Sequence, residues 1–165
     1  MIAAAARLAT FVLAIACGAV ACGPDDPGTG PPDLRYGEVA CARCGMSVDR
    51  PRFAAALRYQ RPDGGAALAV YDDVGELFLA VGEAENLDVR EVWVHDAPSD
   101  AWIAGESAFY VQGKIRSPMG LGIEAYGNRA AAEGRAVEVR GAVLDFNALL
   151  ARSREGALKS RGEED

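Results

Sequence analysis

Histidine and methionine are the scarcest of the residues that could carry chemistry in this 165-residue chain. His95 is the only histidine, and Met46 and Met119 are the only methionines after the initiator. A single histidine excludes sites that need two or more, such as the His-Glu-x-x-His zinc motif. The sequence also lacks a Gly-x-Ser-x-Gly elbow and a phosphate-binding loop. These absences predict that the protein is not an enzyme.

Positive charge is also in deficit. The chain has 17 Lys and Arg against 24 Asp and Glu, which gives a formal net charge of -7. Nucleic-acid phosphates would be repelled by such a surface, so no nucleic-acid partner is expected. Half of the residues are hydrophobic, and the length is sufficient for one domain or two very small ones.

The longest apolar run is confined to the N-terminus. Residues 1–21 combine Arg7 with an apolar stretch at 8–16 and small residues after it, which is typical of a signal peptide. The run is too short for a comfortable membrane span. Residues 19–22 (AVAC) loosely resemble a bacterial lipobox. In a lipobox the cysteine is modified with lipid, and palmitate is one of the attached acyl chains. We therefore predict a lipoprotein anchored to a membrane through Cys22 and facing the periplasm, with an ordinary cleaved signal as the alternative.

The rest of the chain divides into a tether, a folded part and a tail. Residues 22–35 are rich in Pro, Gly and Asp and predict a flexible tether. The folded part is predicted to be α+β, with two tandem small ββαβ units at 36–96 and 97–150. Residues 151–165 are predicted to be a charged C-terminal tail.

Strand-like runs, turns and helical patterns define the elements of each unit. The first unit is predicted as strands at 53–59 and 66–71, a helix after Asp73, and a strand at 89–95. Asp72 and Asp73 are interpreted as a helix cap, with Glu76 completing a capping box. The second unit is predicted as strands at 101–103 and 108–112, a helix at 123–133 and a strand at 136–140.

Two thiols and a thioether lie within six residues, from Cys41 through Cys44 to Met46. Such soft donors select Cu(I), Zn or iron–sulfur iron. A thioredoxin-type redox pair normally begins a helix that follows a strand, whereas this pair follows a spacer. A structural zinc site would need further ligands, and a disulfide would close only a very small loop. The redox, zinc and disulfide interpretations stay open, but a soft-metal site that includes Met46 is favoured.

Further candidate ligands lie elsewhere in the chain. Met46 and Met119 are in glycine-containing loops rather than in apolar stripes, so core filling does not explain them. His95 ends a predicted strand, and imidazole suits copper. Asp96 follows it and could orient the ring or bind the metal directly.

Seven motifs in this order resemble the NosL family, accessory lipoproteins of nitrous oxide reductase maturation. They are CARCGM at 41–46, FAAA at 53–56, VYDDV at 70–74, VWVHD at 92–96, WIA at 102–104, AFYV at 108–111 and SPMGLG at 117–122. The resemblance covers about 36–150, nearly all of the predicted folded part. Cys-x-x-Cys alone is a weak signal, whereas the whole series is specific.

The resemblance implies a periplasmic Cu(I)-binding metallochaperone that delivers copper for the nitrous oxide reductase metal centres in denitrification. It implies two ββαβ units and, as partners, a membrane ABC-type assembly complex and the reductase. Family members often carry a cysteine in the first helix region after the Asp-Asp pair. Residues 74–78 here contain none, so the site cannot depend on it.

From ligand chemistry we hypothesise a Cu(I) site with Met119 and His95 as its core and Asp96 beside them. Met46, Cys44 and Cys41 are the donors expected from the N-terminal loop. The alternative function is an exported thiol-disulfide oxidoreductase that uses Cys41 and Cys44. A structural lipoprotein with a stapled loop is the third hypothesis.

Overall fold

A computed structural model describes residues 28–159 of the chain. The predicted signal peptide at 1–21 and the predicted lipidation site Cys22 lie outside the described residues. Within them, two antiparallel sheets pack with helices, which confirms the α+β class. The strands are β1 (Ala55–Gln60), β2 (Ala66–Tyr71), β3 (Asp88–His95), β4 (Trp102–Ala104), β5 (Phe109–Gln112), β6 (Ile123–Tyr126) and β7 (Ala142–Leu144). The helices are α1 (Val74–Glu83), α2 (Arg129–Glu138) and α3 (Phe146–Arg154).

The first sheet has the order β2-β1-β3-β4. The strand-like runs at β1 and β2 pair as a hairpin, and β1 also pairs with β3 on its other side. Asp73 caps α1 by accepting a hydrogen bond from the Gly75 backbone N–H. The elements predicted for the first unit are therefore confirmed, apart from small shifts at their ends.

The second sheet has the order β6-β5-β7, and α2 connects β6 to β7. The prediction of a helix at 123–133 is wrong at its start, because Ile123–Tyr126 is a fully buried strand. The helix begins only at Arg129, after Asn128 accepts a hydrogen bond from the Ala131 N–H. The predicted strand at 136–140 is also wrong, since α2 continues to Glu138. The element order is still ββαβ.

The strand predicted at 101–103 exists as β4, but it belongs to the first sheet. It pairs with the end of β3, so that Trp102 lies opposite His95. A strand of only three residues has too short a hydrophobic pattern to indicate which sheet it joins. That choice depends on a pairing partner distant in sequence.

The two sheets share a hydrophobic core. Phe78 of α1 contacts Tyr110 of β5 edge to face, with ring centroids 5.0 Å apart. Its ring centroid lies 5.1 Å from that of Phe146 in α3. All three side chains lie in or against one cluster that draws on both sheets. The two units are therefore packed against each other rather than connected only by the chain.

Both ends of the described segment contact the fold. The Gly30 backbone N–H donates to Glu91, and its carbonyl accepts from Arg58. Pro32 is buried, and at the other end Leu158 is 5% exposed and joins the main core. None of the described helices is long and apolar enough to cross a membrane.

Candidate metal centre

A short closed loop presents the two thiols on the edge of the first sheet. The Cys41 N–H donates to the Met46 carbonyl at 2.7 Å, and the Gly45 N–H donates back to the Cys41 carbonyl at 3.0 Å. Gly45 has φ +75°, a conformation that other residues adopt at a cost. The Ala42 N–H binds the Val70 carbonyl of β2 at 2.7 Å. This bond places the loop directly over the junction of β2 and α1.

Two buried carboxylates lie at that junction. The Cys41 thiol donates to Glu76 Oε2 at 2.8 Å, and the Cys44 thiol donates to Asp72 Oδ1 at 3.6 Å. One ligand atom from each of these four residues lies within 4.8 Å of the other three. Among residues 28–159, this is the one His/Cys/Asp/Glu group with that property. We call these four residues the four-donor cluster.

Burial controls the electrostatics of the cluster. Cys41, Asp72 and Glu76 are each less than 5% exposed, whereas Cys44 is half-buried. Burial raises the pKa of the Cys41 thiol to about 12, and the hydrogen bond to Glu76 acts in the same direction. Burial also raises the pKa of Cys44 and of Glu76, the latter helped by its neighbour Asp72. Without a cation, both thiols are therefore protonated at neutral pH.

Two thiols and two carboxylates suit a thiophilic cation. Both cysteines are free thiols in this structure, so both sulfurs are available as ligands. Cu(I) and Zn(II) both accept thiolate, and Zn(II) also accepts carboxylate oxygen. The sequence argument against zinc was that a structural site needs ligands beyond the two cysteines. It does not hold for this geometry, since Asp72 and Glu76 bring the donors to four.

The two carboxylates are the candidate ligands that sequence reasoning missed. Asp72 and Glu76 are four residues apart across the start of α1, a spacing that puts both side chains on one side of the helix. The capping-box interpretation of Glu76 is not what the structure shows, because its side chain accepts from Cys41. Asp73 alone caps the helix. The sequence did contain one signal for them. Three acidic residues lie around the start of α1, and a helix cap needs only one.

Met46 and the loop that carries Met119 lie beside the cluster. Met46 is 46% exposed and lines a recess of about 340 Å³ together with Asp72 and Pro118. Met119 is partly buried against the main core, and its backbone N–H donates to Asp73 Oδ2 at 3.0 Å. A loop of the second unit therefore meets the start of α1 next to the thiols. That either thioether binds metal stays a prediction.

Asp73 joins the two units through this contact. An Asp73→Ala variant is expected to lower the free energy of unfolding by about 2 kcal/mol, roughly half from the lost cap and half from the unmatched Met119 N–H. Urea unfolding measures the change. Asp73→Asn keeps one of the two acceptor oxygens and is the comparison, expected to lose about half as much. An equal loss in both variants would contradict the assigned role of the side-chain oxygens.

The structure does not bring His95 into the four-donor cluster. The His95 ring is 3% exposed and stacks on Trp102 with ring centroids 3.8 Å apart. Its Nδ1 lies 2.8 Å from the Asp100 carbonyl and its Nε2 lies 2.5 Å from the Tyr36 hydroxyl. Since a carbonyl only accepts, Nδ1 carries the proton and Nε2 accepts from the tyrosine. Both nitrogens are satisfied, and burial lowers the His95 pKa.

Asp96 is engaged in the backbone link between the two sheets. Its Oδ1 accepts from the Gly127 N–H at 2.9 Å, and its Oδ2 accepts from the Ser99 hydroxyl at 2.5 Å. Copper binding by His95 or Asp96 stays a prediction, and it requires these hydrogen bonds to be exchanged for metal bonds.

Fold and site together define a small α+β protein with a buried thiol–carboxylate cluster suited to a soft metal ion. The family model for NosL matches residues 36–153, and the chain belongs to the NosL family. Among solved structures, the fold is similar to that of the crystal structure of the copper chaperone NosL from Shewanella denitrificans. The TM-score is 0.58 and the identity 21%, over 71% of this chain and 96% of that one. No curated protein matches the sequence significantly.

Proposed function

We propose that this protein is a copper chaperone that binds one Cu(I) ion through Cys41 and Cys44 and is not an enzyme. The four-donor cluster is the observation that carries the proposal. Membership of the NosL family and the fold shared with a copper chaperone support the choice of copper over zinc. Cu(I) prefers soft donors at low coordination number, which two thiolates provide.

The carboxylates explain how the thiols lose their protons. Binding of Cu(I) as a bis-thiolate requires both thiol protons to leave. Each thiol already donates to a carboxylate, Cys41 to Glu76 and Cys44 to Asp72. These oxygens accept the protons first and pass them to solvent or keep them as the metal enters. The negative charge that remains holds the cation in place.

A gradient of exposure explains how the copper can leave. Cys41 is buried, Cys44 is half-buried and Met46 is 46% exposed. A partner's sulfur ligand can approach at Cys44 and Met46 while Cys41 still holds the ion. Copper then moves by stepwise exchange of ligands and is never released as a free ion. Such exchange lets a chaperone combine tight binding with transfer.

An anaerobic competition titration of the full chain against a chromophoric Cu(I) chelator tests the proposal. One tightly bound Cu(I) per chain is expected. Absence of binding above background would overturn it. Met119→Ala and His95→Gln, titrated in parallel, decide whether these predicted ligands contribute. If either variant loses as much Cu(I) affinity as a cysteine variant does, the substituted residue belongs to the copper site.

Glu76→Gln is expected to weaken Cu(I) binding by about tenfold to a hundredfold, the range for a group that orients a ligand and tunes its basicity. The same titration measures it. The exposed Glu85, just beyond α1, supplies the matched control Glu85→Gln, which removes equal charge outside the cluster. Equal losses in the two variants would show a general charge effect and contradict the role of Glu76.

The client and the anchor belong to the same proposal. From the family resemblance we infer delivery to nitrous oxide reductase through a membrane ABC-type assembly complex. We also infer a lipid anchor on Cys22 that faces the periplasm. The copper content of the reductase, produced with the wild-type chain or a Cys41→Ser/Cys44→Ser chain, tests delivery, and equal contents would contradict it. Cys22→Ala should release the protein from the membrane fraction.

A thiol-disulfide oxidoreductase is the competing function, because two free thiols lie three residues apart. Redox cysteines depend on a lowered thiol pKa, whereas burial raises the pKa of Cys41 to about 12. We therefore expect no turnover in an insulin reduction assay with dithiothreitol. Catalytic turnover that disappears in Cys41→Ser would support the redox function instead.

A further inference from the structure

We propose that a cationic cleft on the second sheet binds a phosphate group. The cleft has a volume of about 560 Å³ and lies where the ends of β5 and α3 meet the start of β7. Its lining includes Arg140, Arg152 and Lys159, and none of the described residues that line it is acidic. Neither the four-donor cluster nor copper enters this proposal.

The local charge is opposite to that of the whole protein. The chain carries a formal net charge of -7, yet three cationic side chains converge on one cleft. Within residues 28–159, none of these three forms an ion pair. Most of the other described arginines pair with a nearby carboxylate. The cleft therefore holds positive charge that no carboxylate within residues 28–159 neutralises by an ion pair.

Two of the residues that line the cleft, Gly113 and Gly141, mark a close crossing of the backbone. A Cβ atom on Gly141 would lie 2.3 Å from the Gln112 carbonyl oxygen, and one on Gly113 would lie 2.9 Å from the Gly141 Cα. The two chain segments thus cross with no room for side chains. A side chain at either glycine would therefore disturb the wall of the cleft.

The two arginines are placed in ways that favour an anion. Arg152 donates from Nη1 to the Gln112 side chain at 2.7 Å, which orients its guanidinium at the cleft. Arg140 has φ +52°, a left-handed conformation in which glycine or asparagine is more stable. An arginine at this position therefore does not stabilise the turn. The planar guanidinium fork matches phosphate oxygens better than a point charge does.

The ligand class is a phosphate monoester or diester, and it has two sources: the headgroup of an anionic membrane lipid or a free phosphate compound. Two measurements on the full chain separate them. Inorganic phosphate and glycerol phosphate are titrated in solution by calorimetry. Vesicles of phosphatidylglycerol and of phosphatidylcholine are compared by flotation, and the difference between the two lipids is the readout.

The test variant is Arg140→Gly/Arg152→Gln, and Arg116→Gln is the control. Arg116 is exposed, lies outside the cleft and forms no ion pair within residues 28–159. We expect saturable phosphate binding that falls by about tenfold or more in the double variant, as the loss of two charge-assisted contacts implies, and that stays within about twofold in the control. Arg140→Gly alone should keep or raise the melting temperature, which separates binding from folding.

The phosphate titration and the vesicle flotation together distinguish the two ligand sources. A phosphatidylglycerol preference that disappears in the double variant assigns the cleft to a lipid headgroup. Phosphate binding without that preference assigns it to a free phosphate compound. No saturable binding in either arm, or an equal loss in Arg116→Gln, overturns the proposal. Cu(I) affinity should be the same in all variants, so this result is independent of the copper titration.

Discussion

Replacing both Cys41 and Cys44 by serine is expected to lower the affinity for Cu(I) at least about a thousandfold. For comparison, structural zinc sites with four ligands bind with roughly 10 to 16 kcal/mol, or about 3 kcal/mol per ligand, so the loss of two thiolates is expected to cost at least about 4 kcal/mol. Serine retains the shape of the side chain but offers a hard, protonated oxygen that Cu(I) does not favour. The anaerobic chelator competition measures the loss.

The single variants distinguish the two thiols. Cys41→Ser removes the buried anchor, whereas Cys44→Ser removes the sulfur from which copper would be transferred. Both should weaken binding, and Cys44→Ser should also slow transfer to a thiolate acceptor. Circular dichroism of each metal-free variant controls for folding. Full Cu(I) affinity in the folded double variant would place the site elsewhere, with Met119 and His95 as the next donors to examine.

Phe78→Ala is expected to destabilise the whole described fold by about 3 to 5 kcal/mol, the usual cost of a large cavity in a core. Phe78 is fully buried and contacts both Tyr110 and Phe146, which belong to the second half of the chain. Its loss should therefore affect both halves at once. A single unfolding transition at lower urea concentration is the expected result.

The exposed Val137 supplies the control, since it is 82% exposed and Val137→Ala should change stability by less than about 0.5 kcal/mol. Circular dichroism follows the helices, and the fluorescence of Trp93 and Trp102 follows the first sheet. Two separated transitions in Phe78→Ala would show that the halves fold independently, contrary to a shared core.

The first half of the fold was predictable because its signals are local. β1 and β2 are strand-like runs on either side of the Pro-Asp-Gly-Gly turn at 62–65, and Asp73 marks the start of α1 before an apolar stripe. The second half was less predictable because its local signals are weaker. Ile123–Tyr126 is four residues of buried strand that follow a glycine-rich loop, and nothing local separates such a segment from the first turn of a helix.

The candidate site divides in the same way. Cys41 and Cys44 are three residues apart, so their proximity could be read from the chain. Their carboxylate partners could not, because Glu76 lies 35 residues from Cys41 and is equally suited to a helix cap. The predicted role of His95 rested on its chemistry alone, and the chemistry of a side chain does not show which hydrogen bonds already occupy it.

The sequence by itself determined the soft-donor loop, the NosL resemblance and the order of most elements, since each depends on residues close together along the chain. Only the tertiary structure decided which acids meet the thiols, because the bond from Ala42 to β2 brings the loop to α1. It also decided that β4 joins the first sheet and that three cations converge on one cleft. Those outcomes depend on long-range pairing, in which distant backbone groups satisfy one another.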